Sequence, residues 1–178
     1  PDGKFGSQGL AAQIEDRGVL ANARALLDAA RAKGLKVAHV RVAFRPDNAD
    51  VVSRAPRVAA LRKAGAMTDG EWGGEIHETV APGPGEPVFT KQSVNPFLST
   101  NLGTWLSRHG IVEPILAGVA TNLVVEATAR HCDDIGLIAT VVEDACASPK
   151  PELHKFVIES VLPAFGNVST TADVLASL

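Results

Sequence analysis

The stretch IVEPILAGVATNLVVEATARHCDDIGLIATVV, residues 111–142, decides the fold. Residues 111–118 form an apolar run ending at Gly118 and read as a buried strand. Residues 122–135 read as a helix, and residues 137–142 as a second strand rich in β-branched side chains. A strand, a helix and a second strand in that order make a βαβ unit, whose strands run parallel.

The alternation continues in both directions. Downstream, residues 151–162 read as a helix, 167–169 as a short last strand and 171–178 as a closing helix. Upstream, residues 86–90 read as a strand and 98–109 as a helix with Trp105 and Leu106 toward the core. Further back, residues 35–44 read as a strand. Residues 14–34 carry Val19, Leu20, Ala23, Leu26, Leu27 and Ala30 at helical spacing up to Gly34. Residues 45–87 are rich in Gly and Pro, with only a short helix at 58–64. A long irregular stretch inside a compact domain is usually functional. The whole pattern is that of an α/β fold around a mostly parallel sheet.

Composition narrows the partners. The chain has 178 residues, 46% apolar and 21% charged, with a net charge of −3. That suits one domain over residues 1–178 with a real core. Charges of both signs are interspersed, so neither nucleic acid nor a membrane surface is expected as a partner. The apolar runs are too short to span a bilayer. Cys132 and Cys146 are too few for a disulfide framework and lie in no CxxC spacing; they read as reduced thiols of a cytoplasmic protein. Residues 1–4, Pro-Asp-Gly-Lys, are turn-like with no strand before them and read as a cut edge.

Ligands of open parallel sheets bind beyond the carboxyl ends of the strands. The polar residues just past the strand ends are Arg45, Lys91, Thr121, Asn122, Glu143 and Asp144. Each is a candidate for a small-molecule site, or a solvated loop residue.

Three segments carry a resemblance: residues 89–97 (FTKQSVNPF), 118–129 (GVATNLVVEATA) and 141–147 (VVEDACA). In order and spacing the chain resembles the isochorismatase-like (cysteine hydrolase) family over nearly its whole length. The resemblance implies a three-layer α/β/α, Rossmann-like fold. It also implies an active site where an Asp, a Lys and a Cys converge at the carboxyl edge of the sheet. Carried over, the Lys is Lys91, with Asn95 and Phe97 following it in the motif. The family's cis peptide falls between Val119 and Ala120, next to Thr121, where backbone N–H groups bind a carbonyl or carboxylate oxygen.

Two departures change the chemistry. The family Cys falls at Val124, which has no nucleophilic atom, so a thioester route through that position is closed. The family Asp lies at the end of a strand that would precede Pro1, and Asp2 is too far along the loop to replace it. A natural protein carrying that strand and its Asp is therefore expected. True isochorismatases also lack the Cys and hydrolyse a vinyl ether with water as nucleophile.

Nicotinamidase-like relatives hold a metal through an Asp-x-His motif after the second strand. Residues 42–47 contain no His, so neither metal nor other cofactor is expected. Arg45 reads as a partner for a substrate carboxylate or for solvent, and Trp72 as a core plug or a pocket wall. Family members commonly pair, and Val157, Ile158 and Val161 offer apolar faces for a homodimer or larger assembly. The leading function is a hydrolase of a small vinyl ether, amide or ureide that uses no cysteine nucleophile. A non-catalytic binding module and an enzyme using Cys132 or Cys146 are the alternatives.

Overall fold

Gly18 makes the first departure from the sequence reading. Its φ of 63° lies in the left-handed region, which glycine enters without steric penalty. It divides the helix expected over residues 14–34 into α1 (Leu10–Asp16) and α2 (Val19–Ala32). The computed structural model describes Lys4, Gly6 and residues 9–178. The strand expected before Pro1, and Asp2, lie outside these.

After α2 come β1 (His39–Val42), α3 (Pro56–Lys63), β2 (Val88–Lys91), α4 (Leu102–Arg108) and β3 (Ile115–Val119). Then follow α5 (Glu126–Asp134), β4 (Ala139–Ala147), α6 (Pro151–Phe156), β5 (Gly166–Ser169) and α7 (Thr171–Ser177). Two single turns of π-helix, Thr121–Val125 and Val157–Val161, adjoin α5 and α6.

All pairings are parallel. Among the described residues, β1 pairs with β2 from His39↔Val88 to Val42↔Lys91, and β3, β4 and β5 form a second sheet in that order. The strand β4 runs five residues beyond the expected end at Val142. Its register with β3 slips from Leu116↔Val141 to Gly118↔Cys146. Gly118 takes φ 118° at this slip, a conformation closed to side chains with a Cβ. Glu143 and Asp144 therefore lie within β4 and not past its end.

The two faces of β4 bury against different helices. Ala139, Val141 and Cys146 pack with Val125, Ala129, Cys132, Val157 and Leu162. Val142 and Ala145 pack with Leu26 and Val174 from α2 and α7, and Ala147 with Leu10, Ile14 and Val19. Burial on both faces explains the continuous apolar run in this strand. The result is the three-layer α/β/α arrangement that the resemblance implied. Of the residues expected to offer a pairing face, Val157 is buried, and Ile158 and Val161 are partly buried against the same cluster. No helix among the described residues is long and apolar enough to cross a membrane.

One ion cluster fixes α2 to the strand pair. Glu86, just before β2, accepts from Arg31 Nε at 2.7 Å and Nη2 at 2.8 Å, and from Gly83 N at 2.7 Å. It also lies 2.8 Å from His39 Nε2. The Arg31 bonds, above all, hold the Glu86 carboxyl far below the usual range. A depressed carboxylate stabilises the fold above its unfolded pKa and loses that contribution as the pH falls below about 4. Glu86→Gln is expected to cost about 1.5 kcal/mol in urea unfolding at pH 7 and to blunt the acid sensitivity.

Candidate active site

The carboxyl ends of β1, β2 and β3 converge on a cavity of about 180 Å³. Val42 and Phe44 form one side, and Lys91, Gln92, Ser93 and Val94 continue from β2. Val119, Ala120, Leu123 and Val124 close it from the turn after β3. Val52, Ser53, Arg57, Val58, Leu61 and Met67 cover it from the irregular region and α3.

Lys91 is the last residue of β2 and only 7% exposed. Its Nζ donates to Ser93 O at 2.8 Å. An ammonium has three donors, so this bond leaves two for the cavity. Burial, and secondarily the like charge of Arg57, lower its pKa to about 8. At neutral pH it is mainly a cation with little solvent to screen it.

Arg57, an exposed residue in the first turn of α3, also lines the cavity. Among the described lining residues there are two cations and no carboxylate, imidazole or thiol. The rest of the wall is mostly apolar, so the cavity favours a small anion.

The peptide between Val119 and Ala120 is cis. Ala120 O accepts from Leu123 N at 3.1 Å and Val125 N at 3.4 Å, closing the Thr121–Val125 turn tightly over the strand end. Met67 takes φ 57°, a conformation uncommon for residues other than glycine. It is held because Phe44 N donates to Met67 O, and Asp69 N to Phe44 O, each at 2.8 Å.

Of the residues nominated from sequence, Lys91, Val119, Ala120 and Val124 line this one cavity. Thr121 is fully buried and turns its hydroxyl to His154 Nδ1 at 2.8 Å. Asn95 caps a short 3-10 turn, accepting from Phe97 N at 2.9 Å. Phe97 stacks on His131 with centroids 4.3 Å apart. Both residues shape the loop after Lys91 from outside the lining. Arg45 is exposed and paired with Asp47 at 2.7 Å. Trp72 is 69% exposed, neither core plug nor cavity wall.

The remaining strand-end candidates, Asn122, Glu143 and Asp144, do not line this cavity. Glu143 is held by Arg17 at 2.6 Å. Asp144 Oδ1 accepts from Thr171 N and Oγ1 at 2.8 Å, at the start of α7. Asn122 N donates to Ser148 Oγ at 3.1 Å. Cys132 and Cys146 are fully buried in the core, and burial pushes their thiols up to about 11 and about 12. Sequence reasoning missed Arg57, Phe44 and Met67, which come from or border the stretch with no clear periodicity.

Comparison with known proteins agrees with this architecture. The isochorismatase domain family matches residues 4–173. The isochorismatase family protein YwoC of Bacillus subtilis is 31% identical over 88% of this chain and 82% of its own length. Ureidoacrylate amidohydrolase RutB of Pantoea ananatis is 29% identical over 86% of this chain and 67% of its own. An isochorismatase family structure from Burkholderia thailandensis superposes with a TM-score of 0.77 at 32% identity, covering 90% of this chain and 82% of that one. With the family match spanning nearly all of its residues, this chain belongs to the isochorismatase family of hydrolases.

Proposed function

We propose that the Lys91 cavity hydrolyses a small carboxylate-bearing amide, ureide or vinyl ether, with water as nucleophile and no covalent intermediate. The observation that carries this reading is the placement of Lys91 and Arg57 in a cavity lined by Val124 and, among the described residues, by no thiol. Arg57 suits a carboxylate, which its planar fork binds through two donors. Lys91, a compact buried ammonium, suits the oxygen on which negative charge grows during attack. The backbone amides of Ala120 and Val124 are the further donors this edge offers. An engineered apolar cavity of about 150 Å³ holds benzene. The space here therefore matches a ligand of roughly that size or slightly larger. The relative named ureidoacrylate amidohydrolase supports the ureide side of the proposal.

A second reading, a binding module without turnover, is favoured by one observation: no carboxylate or imidazole among the described residues lines the cavity to activate water. The test is a panel of small carboxylates bearing amide, ureide or vinyl ether groups, assayed for both binding and hydrolysis. Turnover of a panel member supports the first reading, and binding without turnover the second. Arg57→Ala is expected to weaken binding of carboxylate ligands about tenfold and leave their uncharged amides unaffected.

A further inference from the structure

The turn that presents Ala120 and Val124 is anchored from behind. Its first residue, Thr121, is fully buried, and its hydroxyl meets His154 Nδ1 on α6 at 2.8 Å. His154 is itself only 4% exposed. Its Nε2 is buried with no hydrogen-bond partner and lies 3.5 Å from Glu143 Oε2. That carboxylate is gripped by Arg17 Nη2 at 2.6 Å, and Arg17 also donates to Glu143 O and Cys146 O at 3.0 Å each. A chain of contacts thus runs from the α1–α2 junction, through β4 and α6, to the back of the site.

We infer that His154 is a positioning residue: by holding the Thr121 hydroxyl it fixes the turn that brings Ala120 and Val124 to the cavity wall. This rests on the reading of that cavity as the functional site. Burial, first, and the charge of Arg17 lower the imidazole's pKa and favour its neutral form, while the Glu143 carboxylate acts in the opposite direction. A neutral imidazole has one donor and one acceptor. The Glu143 carboxylate, 3.5 Å from Nε2, can only accept; in the neutral ring it favours the tautomer with the proton on Nε2, in which Nδ1 accepts from Thr121. The hydroxyl's one proton is thereby committed to α6, and the turn is held at its first residue. A second bond, Asn122 N to Ser148 Oγ, fixes the next residue to the segment between β4 and α6.

The test reads the turn without needing a substrate. A thiol installed by Val124→Cys would sit in the cavity wall, and its alkylation rate with iodoacetamide reports where the turn lies. In that background, His154→Leu and Thr121→Val should each change the rate about tenfold, through loss of one buried hydrogen bond and an orphaned partner. The two together should change it no more than either alone. His154→Asn, whose carboxamide reaches the place of Nδ1, should restore the parent rate to within about twofold. Cys132 and Cys146 remaining unlabelled certifies that the fold is intact. If His154→Leu exposes them, the milder Thr121→Val decides. A parent-like rate in Thr121→Val, or an Asn variant as altered as the Leu variant, would overturn the assignment. Because alkylation needs no turnover, a failure of the proposed hydrolysis leaves this result readable.

Discussion

Lys91→Ala should lower kcat/KM for any carboxylate amide, ureide or vinyl ether that the protein hydrolyses by about 10²–10³-fold, the usual cost of removing a donor to a developing oxyanion. The wild-type rate should be flat near neutrality and fall as the pH rises through about 8, where the ammonium is lost. A rate that instead rises through that range would make Lys91 the base. The effect on stability has the opposite sign. A folded pKa of about 8 against 10.5 means that burying the charged form is unfavourable below pH 8. Stability should therefore rise between those two values. Lys91→Met should relieve the cost and stabilise the fold at pH 7 by up to about 3 kcal/mol while activity is lost. A residue whose removal strengthens the fold and abolishes the reaction is held there for function. Urea unfolding and initial rates on the same samples measure both.

Val124→Cys should produce the second large effect. Wild-type Cys132 and Cys146 are fully buried with thiols pushed up to about 11 and about 12, so native protein should take up almost no alkylating reagent at pH 7. Both thiols should appear on denaturation. A thiol at position 124 would instead share the cavity with Lys91 and Arg57, whose charges favour the thiolate. Native Val124→Cys should therefore label at one site, more than about 10³ times faster than the wild type, and carboxylate ligands should protect it. Labelling no faster than wild type would mean that position 124 does not reach the cavity.

Lys91 was legible from sequence because its placement follows from local chain geometry. A parallel strand ending at Lys91 delivers its side chain to the carboxyl edge of the sheet whatever packs around it. In the turn from Gly118 to Val124, strand-end geometry pointed only to Thr121 and Asn122, which lie outside the lining; Val119, Ala120 and Val124 were legible through the family resemblance. Where the sequence reading fell short, long-range contacts decided. Gly18 interrupts a helical apolar pattern that its neighbours would continue, and β4 extends to Ala147 because the register with β3 slips at Gly118. Arg57 lies in α3 with Arg62 and Lys63, shortly after Arg54, and nothing in the spacing separates it from them. Arg62 instead reaches over the Phe44 ring at 5.2 Å. Trp72, in a glycine-rich stretch, read equally as a core plug or a pocket wall, yet that stretch carries it outward. The role of His154 was invisible because its partner Thr121 is 33 residues away in sequence.

The proposed hydrolysis takes place in a cavity that has two cations and, among the described residues, no thiol. The direct measurement is the intact mass of the wild-type protein, sampled by rapid quench while a ureido carboxylate from the panel is being turned over. The prediction is accumulating product with the protein mass unchanged at every time point. An acyl adduct that builds up and decays with turnover, mapping to Cys132 or Cys146, would contradict it.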